Sequence, residues 1–183
     1  MLSLWLPILL SAVVVFVVSC LIHMVFKWHA PDYRGLPNEA GARAALGQDK
    51  LAPGRYVIPY CPDMNGMGSA EMRRKYEEGP VAQVLVGPNG VPNIGKYLAQ
   101  WFVWSLVIAA VSGGFALCIL GTTTGQQAVA ARLVGGLSFV AYGFGTVQES
   151  IWMMRPWSSS LKHLLDAALY ALGSGLVFLW LWP

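Results

Sequence analysis

The feature that most constrains this chain is the run from Leu2 to Phe26, which contains no charged residue. At 1.5 Å per residue a helix of that length exceeds the roughly 30 Å hydrocarbon thickness of a bilayer. Three further apolar blocks follow. Together they place membrane-spanning helices at 1–26, 97–120, 133–154 and 161–182, each near the ~20 residues a crossing needs. Membrane-spanning strands are about half as long and alternate in polarity, so only helices fit. The expected fold is all-α in the membrane, four transmembrane helices, with a small mixed α/β lobe at 27–96 between the first and second.

Composition agrees. Charged residues make up 11% of the chain, against about 25% in soluble domains, which excludes a disordered tail, a coiled coil and an ordinary soluble enzyme. All eight tryptophans fall near an expected span end, where an amphipathic ring is at home. Nine of the twelve Lys and Arg residues lie between Lys27 and Lys96, and Arg155 and Lys162 flank the third connection. The positive-inside rule then puts both termini outside and residues 27–96 in the cytoplasm. Val17-Val18-Ser19-Cys20 has the look of a lipobox, but no basic residue precedes the apolar run and Leu21–Phe26 continues it, so an uncleaved first span is expected. Cys20, Cys61 and Cys118 form no paired motif, which argues against a disulfide framework.

Within the lobe the prolines keep elements short. Helices are expected at about 38–46 and 70–78, the second capped by Ser69 and stopped by Gly79-Pro80. Residues 55–60 and 81–86 are rich in β-branched and aromatic side chains, and with the turn sequence Gly87-Pro88-Asn89-Gly90 they suggest a hairpin or two-stranded patch. Nine basic against seven acidic residues is too balanced for a nucleic-acid surface. Arg73-Arg74-Lys75 can touch anionic headgroups, although Glu71, Glu77 and Glu78 make a solvated helix face the plainer reading.

Ionisable groups inside spans are expensive and mark candidate sites. Glu149 beside Gln148, Asp166, His23 and His163 come from three spans and are expected at one depth near the cytoplasmic edge, with Arg155 and Lys162 compensating the carboxylates. Such a cluster suits a proton relay, a cation site or an anionic substrate. Equally, it suits a set of ion pairs that fixes helix packing. His23 and His163 would also be compatible with axial haem ligation. Cys61, Met64 and Met67, with Met72 beyond, offer soft donors suited to Cu(I), though methionine more often docks loops onto apolar surfaces. No cofactor is expected. No nucleotide, zinc-protease or serine-hydrolase motif is present. Small-x-x-x-small seams run through Ala109/Gly113, Ala110/Gly114, Ala141/Gly145 and Ala167/Ala171/Gly175, and they expect tight helix packing, self-association or docking onto a larger complex.

Ser19–Glu39 (SCLIHMVFKWHAPDYRGLPNE), Arg55–Cys61 (RYVIPYC) and the junction SIWMMRPW with LLDAALY resemble a group of small four-span bacterial inner-membrane proteins. The resemblance implies four helices and an inner-membrane location, and brings no activity or site residue with it. The functional expectation is a non-enzymatic accessory or scaffold subunit in contact with the lipid bilayer. The alternatives are a small proton-coupled transporter or channel-like oligomer using Glu149 and Asp166, and a haem-binding redox subunit.

Overall fold

A computed structural model describes residues 2–48 and 50–183 of the chain. Four helices are long and apolar enough to cross a membrane: Trp5–Phe26, Ile94–Leu120, Gln127–Trp152 and Trp157–Leu181. The first consists of an α-helix, α1 (Trp5–Cys20), continued by a π-helical turn over Leu21–Phe26. The chain divides into two compact units. One comprises residues 2–33 and 93–183, the helix bundle; the other is the lobe, Arg34–Pro92.

The lobe holds α2 (Glu39–Gln48), β1 (Gly54–Ile58), α3 (Ala70–Glu78) and β2 (Ala82–Val86). β1 and β2 pair antiparallel, Gly54 opposite Val86 and Ile58 opposite Ala82. They form a two-stranded patch rather than a hairpin, because α3 lies between them in sequence and Gly87–Gly90 follows β2 instead of joining the strands. Ser69 caps α3 by accepting from the Met72 amide at 3.2 Å, and Gly79, with φ 63°, ends it. The basic face of α3 is paired along the helix, Lys75 with Glu71 at 2.7 Å and Arg74 with Glu78 at 3.8 Å. Lys75 holds the Glu71 carboxyl below its ordinary value.

In the bundle α4 (Ile94–Leu120), α5 (Gln127–Trp152) and α6 (Trp157–Leu181) join α1. α1 packs against α4 and α6, and α5 against α4 and, most extensively, α6, which closes a four-helix ring. The last three spans begin a few residues earlier than apolarity suggests, with Asn93 capping α4 through the Lys96 amide and Pro156 preceding the first turn of α6. Two apolar clusters fill the interior. One, around Leu4, Ala116, Val134 and Phe178, lies toward one end; the other, around Val15, Ile22 and Tyr170 with Trp28 and Trp101 against it, lies toward the other. Each helix adds a buried serine to the core: Ser11, Ser112, Ser138 and Ser174.

Glycines decide how closely α5 and α6 approach. A Cβ on Gly135 would stand 3.2 Å from the Ala171 carbonyl oxygen, and one on Gly175 would stand 3.1 Å from that of Ala131. Backbone cannot yield as a side-chain tip can, so the seam through Ala167, Ala171 and Gly175 is consumed inside the chain. Gly145, by contrast, has open space where a Cβ would be. Gly135→Val is accordingly expected to destabilise the bundle by about 1–3 kcal/mol, the usual range for overpacking, read as a lowered thermal midpoint in detergent. Gly145→Ala should leave that midpoint nearly unchanged.

The main departure from expectation concerns residues 27–33. Their polarity reads as the start of the lobe, yet they belong to the bundle. Lys27 adopts a left-handed conformation, φ 53°, that ends the π-helical turn and redirects the chain. A 3-10 turn over Ala30–Asp32, begun by Pro31 near its N-terminus, follows. What retains the segment is its polar contact with α6.

Candidate functional site

The site assembles from three pieces of chain at one end of the bundle. The π-helical turn carries His23, the redirected segment carries Trp28, His29 and Asp32, and the first turns of α6 carry Lys162, His163 and Asp166. Lys162 and Asp166 are four residues apart and His163 and Asp166 three, so the three side chains share one side of α6. Asp166 is 2% exposed and His29 6%.

Asp166 is the hub. Its Oδ1 accepts the Trp28 indole N–H at 3.0 Å and its Oδ2 lies 2.7 Å from His29 Nε2, with His163 Nδ1 at 3.8 Å. On its other edge, His29 presents Nδ1 to Asp32 Oδ2 at 3.0 Å. Lys162 donates to Asp32 Oδ1 at 2.6 Å and to the Trp28 carbonyl at 2.8 Å, binding the segment to α6 twice over. The Lys162 ammonium, and after it the His29 ring, hold the Asp32 carboxyl down at about 2. Asp32 is therefore a carboxylate at any physiological pH.

The imidazoles form a second layer of contact. His29 stacks on His23 with centroids 5.0 Å apart and lies against His163 at 4.4 Å. His23 Nδ1 lies 3.0 Å from the Ser19 carbonyl oxygen, a partner that can only accept, so Nδ1 carries the proton and Nε2 is left with a lone pair. Both ring nitrogens of His29 face carboxylate oxygens. A neutral imidazole has one N–H. With Nδ1–H given to Asp32, the contact at Nε2 takes a second proton, on the ring or on the Asp166 carboxyl, or a cation in its place.

One donor atom each from His23, His29 and Asp166 lie within 4.8 Å of one another. Around an ion with ligands at about 2.0–2.1 Å, neighbouring donors stand about 3 to 3.4 Å apart, so closing the group requires the exposed His23 ring to rotate out of its stack on His29, because an imidazole lone pair lies in the ring plane. The outer partners have the form metal sites use: a histidine's second nitrogen held by a carboxylate or a backbone carbonyl, here Asp32 for His29 and Ser19 for His23. Charge points the same way, since Asp32 and Asp166 face a single fixed cation, Lys162. A cavity of ≈ 420 Å³ adjoins the group, with His23, His163 and Asp166 at its polar end and Tyr97, Trp101, Tyr142 and Tyr170 on its walls.

Of the residues singled out from sequence, His23, His163, Asp166 and Lys162 meet here. Lys162 is paired with Asp32 rather than with Asp166. Glu149 and Arg155 form an ion pair of their own, in which Arg155 also donates to Ser159 Oγ at 3.2 Å. The pair lies beside the cluster rather than within it. Gln148 is exposed on α5. His23 and His163 share His29 as a stacking neighbour in the place where a haem would need its macrocycle. In the lobe, Cys61 donates its thiol to the Asp63 carbonyl, Met64 is 82% exposed and Met67 40%, while Met72 is buried, so the sulfur residues are divided between surface and interior.

Trp28, His29 and Asp32 are the functional residues that sequence reasoning passed over. Their signal is Trp-His-Ala-Pro-Asp standing directly after an apolar span, with His and Asp at the i, i+3 spacing of a single turn. Comparison with protein-family models, with curated proteins and with solved structures returns no match for this chain.

Proposed function

We propose that this chain is a multi-pass protein of a bacterial inner membrane that holds one divalent transition-metal ion through His23, His29 and Asp166 and uses it catalytically. The observation that carries the reading is the convergence of two histidines six residues apart with an aspartate from α6, each already oriented by a partner of its own. Two histidines and a carboxylate are borderline nitrogen and oxygen ligands of the kind that suit Zn²⁺, Fe²⁺ or Co²⁺ rather than Cu(I) or Ca²⁺. Three protein ligands with further positions open toward a cavity is the catalytic pattern; structural zinc sites are closed by four. His163, beside Asp166 and on the cavity wall, is placed to move a proton to or from whatever occupies the open position. The distribution of Lys and Arg supports an orientation with both termini outside, which sets the site at the cytoplasmic edge.

The accessory-subunit reading has less to draw on, because its most extended small-residue seam is used within the chain. A transport reading through Glu149 loses support from the Arg155 pair that occupies that carboxylate.

The test is a titration of the purified full chain with Co²⁺, a spectroscopic stand-in for zinc. One ion per chain should bind with the intense visible bands of low-coordinate cobalt. His29→Ala and His23→Ala should abolish the bands, and Glu149→Gln should leave them intact. Absence of any stoichiometric Co²⁺ or Zn²⁺ binding by the folded wild-type protein overturns the proposal.

A further inference from the structure

The cavity beside the three donors is lined by a polar group, His23, His163 and Asp166, and by a larger apolar part: Met24 from the π-helical turn, with Tyr97, Leu98 and Trp101 from α4. Met24 is 64% exposed and Tyr97 54%. These residues fall inside the apolar spans Trp5–Phe26 and Ile94–Leu120, so their exposed surface faces lipid rather than water when those helices cross a bilayer. The cavity is therefore open to the leaflet as well as at the exposed His23. A molecule already dissolved in the leaflet meets its apolar part directly.

Size narrows the class. The ≈ 420 Å³ available accommodates about a dozen groups of methylene or water size, at roughly 30 Å³ each. That is one chain with a small head and not the two chains of a phospholipid.

We infer that the site takes a single-chain membrane amphiphile of the fatty-acid type, its oxygen-bearing head on the open metal position and its chain lying between α1 and α4. The inference rests on the metal reading and goes beyond it by naming the substrate class and the direction of access. Head and tail have separate partners: the head is a metal ligand within reach of His163, and the chain replaces lipid contacts on Leu98, Tyr97 and Met24. Binding should then grow with chain length until the cavity is filled.

Hydroxamates test this, since they bind divalent metals through two oxygens and are sold with short or long chains. The Co²⁺-loaded full chain in phosphatidylcholine nanodiscs is titrated with acetohydroxamate and with decanohydroxamate, following the cobalt bands, and each probe's partition into empty nanodiscs is measured and divided out. After that correction the decyl probe should bind at least about tenfold more tightly, a few buried methylenes being enough. Leu98→Trp and Met24→Trp, which fill the mouth and leave the donors alone, should keep Co²⁺ binding and lose the preference. Equal corrected affinities, or a preference that survives both plugs, overturn this inference and leave the metal reading standing. If both plugged variants fail to fold, the corrected wild-type comparison decides by itself. Failure of the wild-type chain to take up Co²⁺ removes the metal reading and this inference together.

Discussion

Asp166→Asn is expected to leave the protein folded and to cost it the metal, lowering affinity by about a hundredfold or more. The asymmetry follows from the hydrogen bonds. Asparagine is nearly isosteric, and its amide oxygen can still accept the Trp28 indole N–H that now reaches Oδ1. Its amide nitrogen can donate to His29 Nε2, which with Nδ1–H directed at Asp32 has a lone pair to offer. All three partners are satisfied without any cation, while the negative charge an ion needs has gone. A purely architectural cluster would show no functional loss with Asn. The thermal midpoint of the Asn variant should therefore stay near wild type while its cobalt spectrum disappears. Asp166→Ala should lower both, because it leaves the half-buried Trp28 indole N–H and the buried His29 Nε2 without their partner, at about 1–3 kcal/mol each. A cobalt spectrum that persists unchanged in Asp166→Asn would remove Asp166 from the ligand set.

Asp32→Asn is expected to weaken metal binding by about 10- to 100-fold, although Asp32 is no ligand. The carboxylate serves two cations at once, Lys162 on Oδ1 and the His29 Nδ1–H on Oδ2. An asparagine has one accepting oxygen for the two. Whichever partner loses, the consequence reaches Nε2: either His29 is no longer steered, or Lys162 releases the segment that carries His29. Lys162→Met separates these outcomes, since it leaves the Asp32–His29 contact in place and cuts both ties to the segment. If steering dominates, Lys162→Met binds Co²⁺ more tightly than Asp32→Asn. If tethering dominates, the two variants fall together, and hydrogen exchange at residues 27–33 rises in both.

The spans were legible because apolar length in a lipid-sized window has few structural outcomes. The lobe was legible in its elements, with Ser69 capping α3 and β-branched runs making β1 and β2, and the helix expected at 70–78 already stood between the two runs. What the residues did not mark is whether the runs pair as a hairpin or, as they do, as a patch around that helix. At the site, Asp166, His23, His163 and Lys162 stood out because charge and imidazole are rare in spans. His29 and Asp32 did not, since in a polar stretch full of charges a further histidine and aspartate look ordinary. What distinguishes them is a left-handed Lys27 and a π-helical turn, neither of which has a residue signature as plain as a glycine. Glu149 has Arg155 as its partner, the compensation its rarity in a span called for, but the pair forms beside the Asp166 cluster rather than within it.

The ties from Lys162 and Asp166 to Trp28, His29 and Asp32 join residues 130 to 138 positions apart. During synthesis the first helix and its trailing segment leave the ribosome long before α6 is made. Until then His29 and Asp32 have no Asp166 or Lys162 to bind, and Lys27–Tyr33 hangs unanchored. The cluster proposed to hold the ion thus assembles only once the last helix is in place. Products truncated before it would carry a bare polar segment, a distinct handle for quality-control proteases.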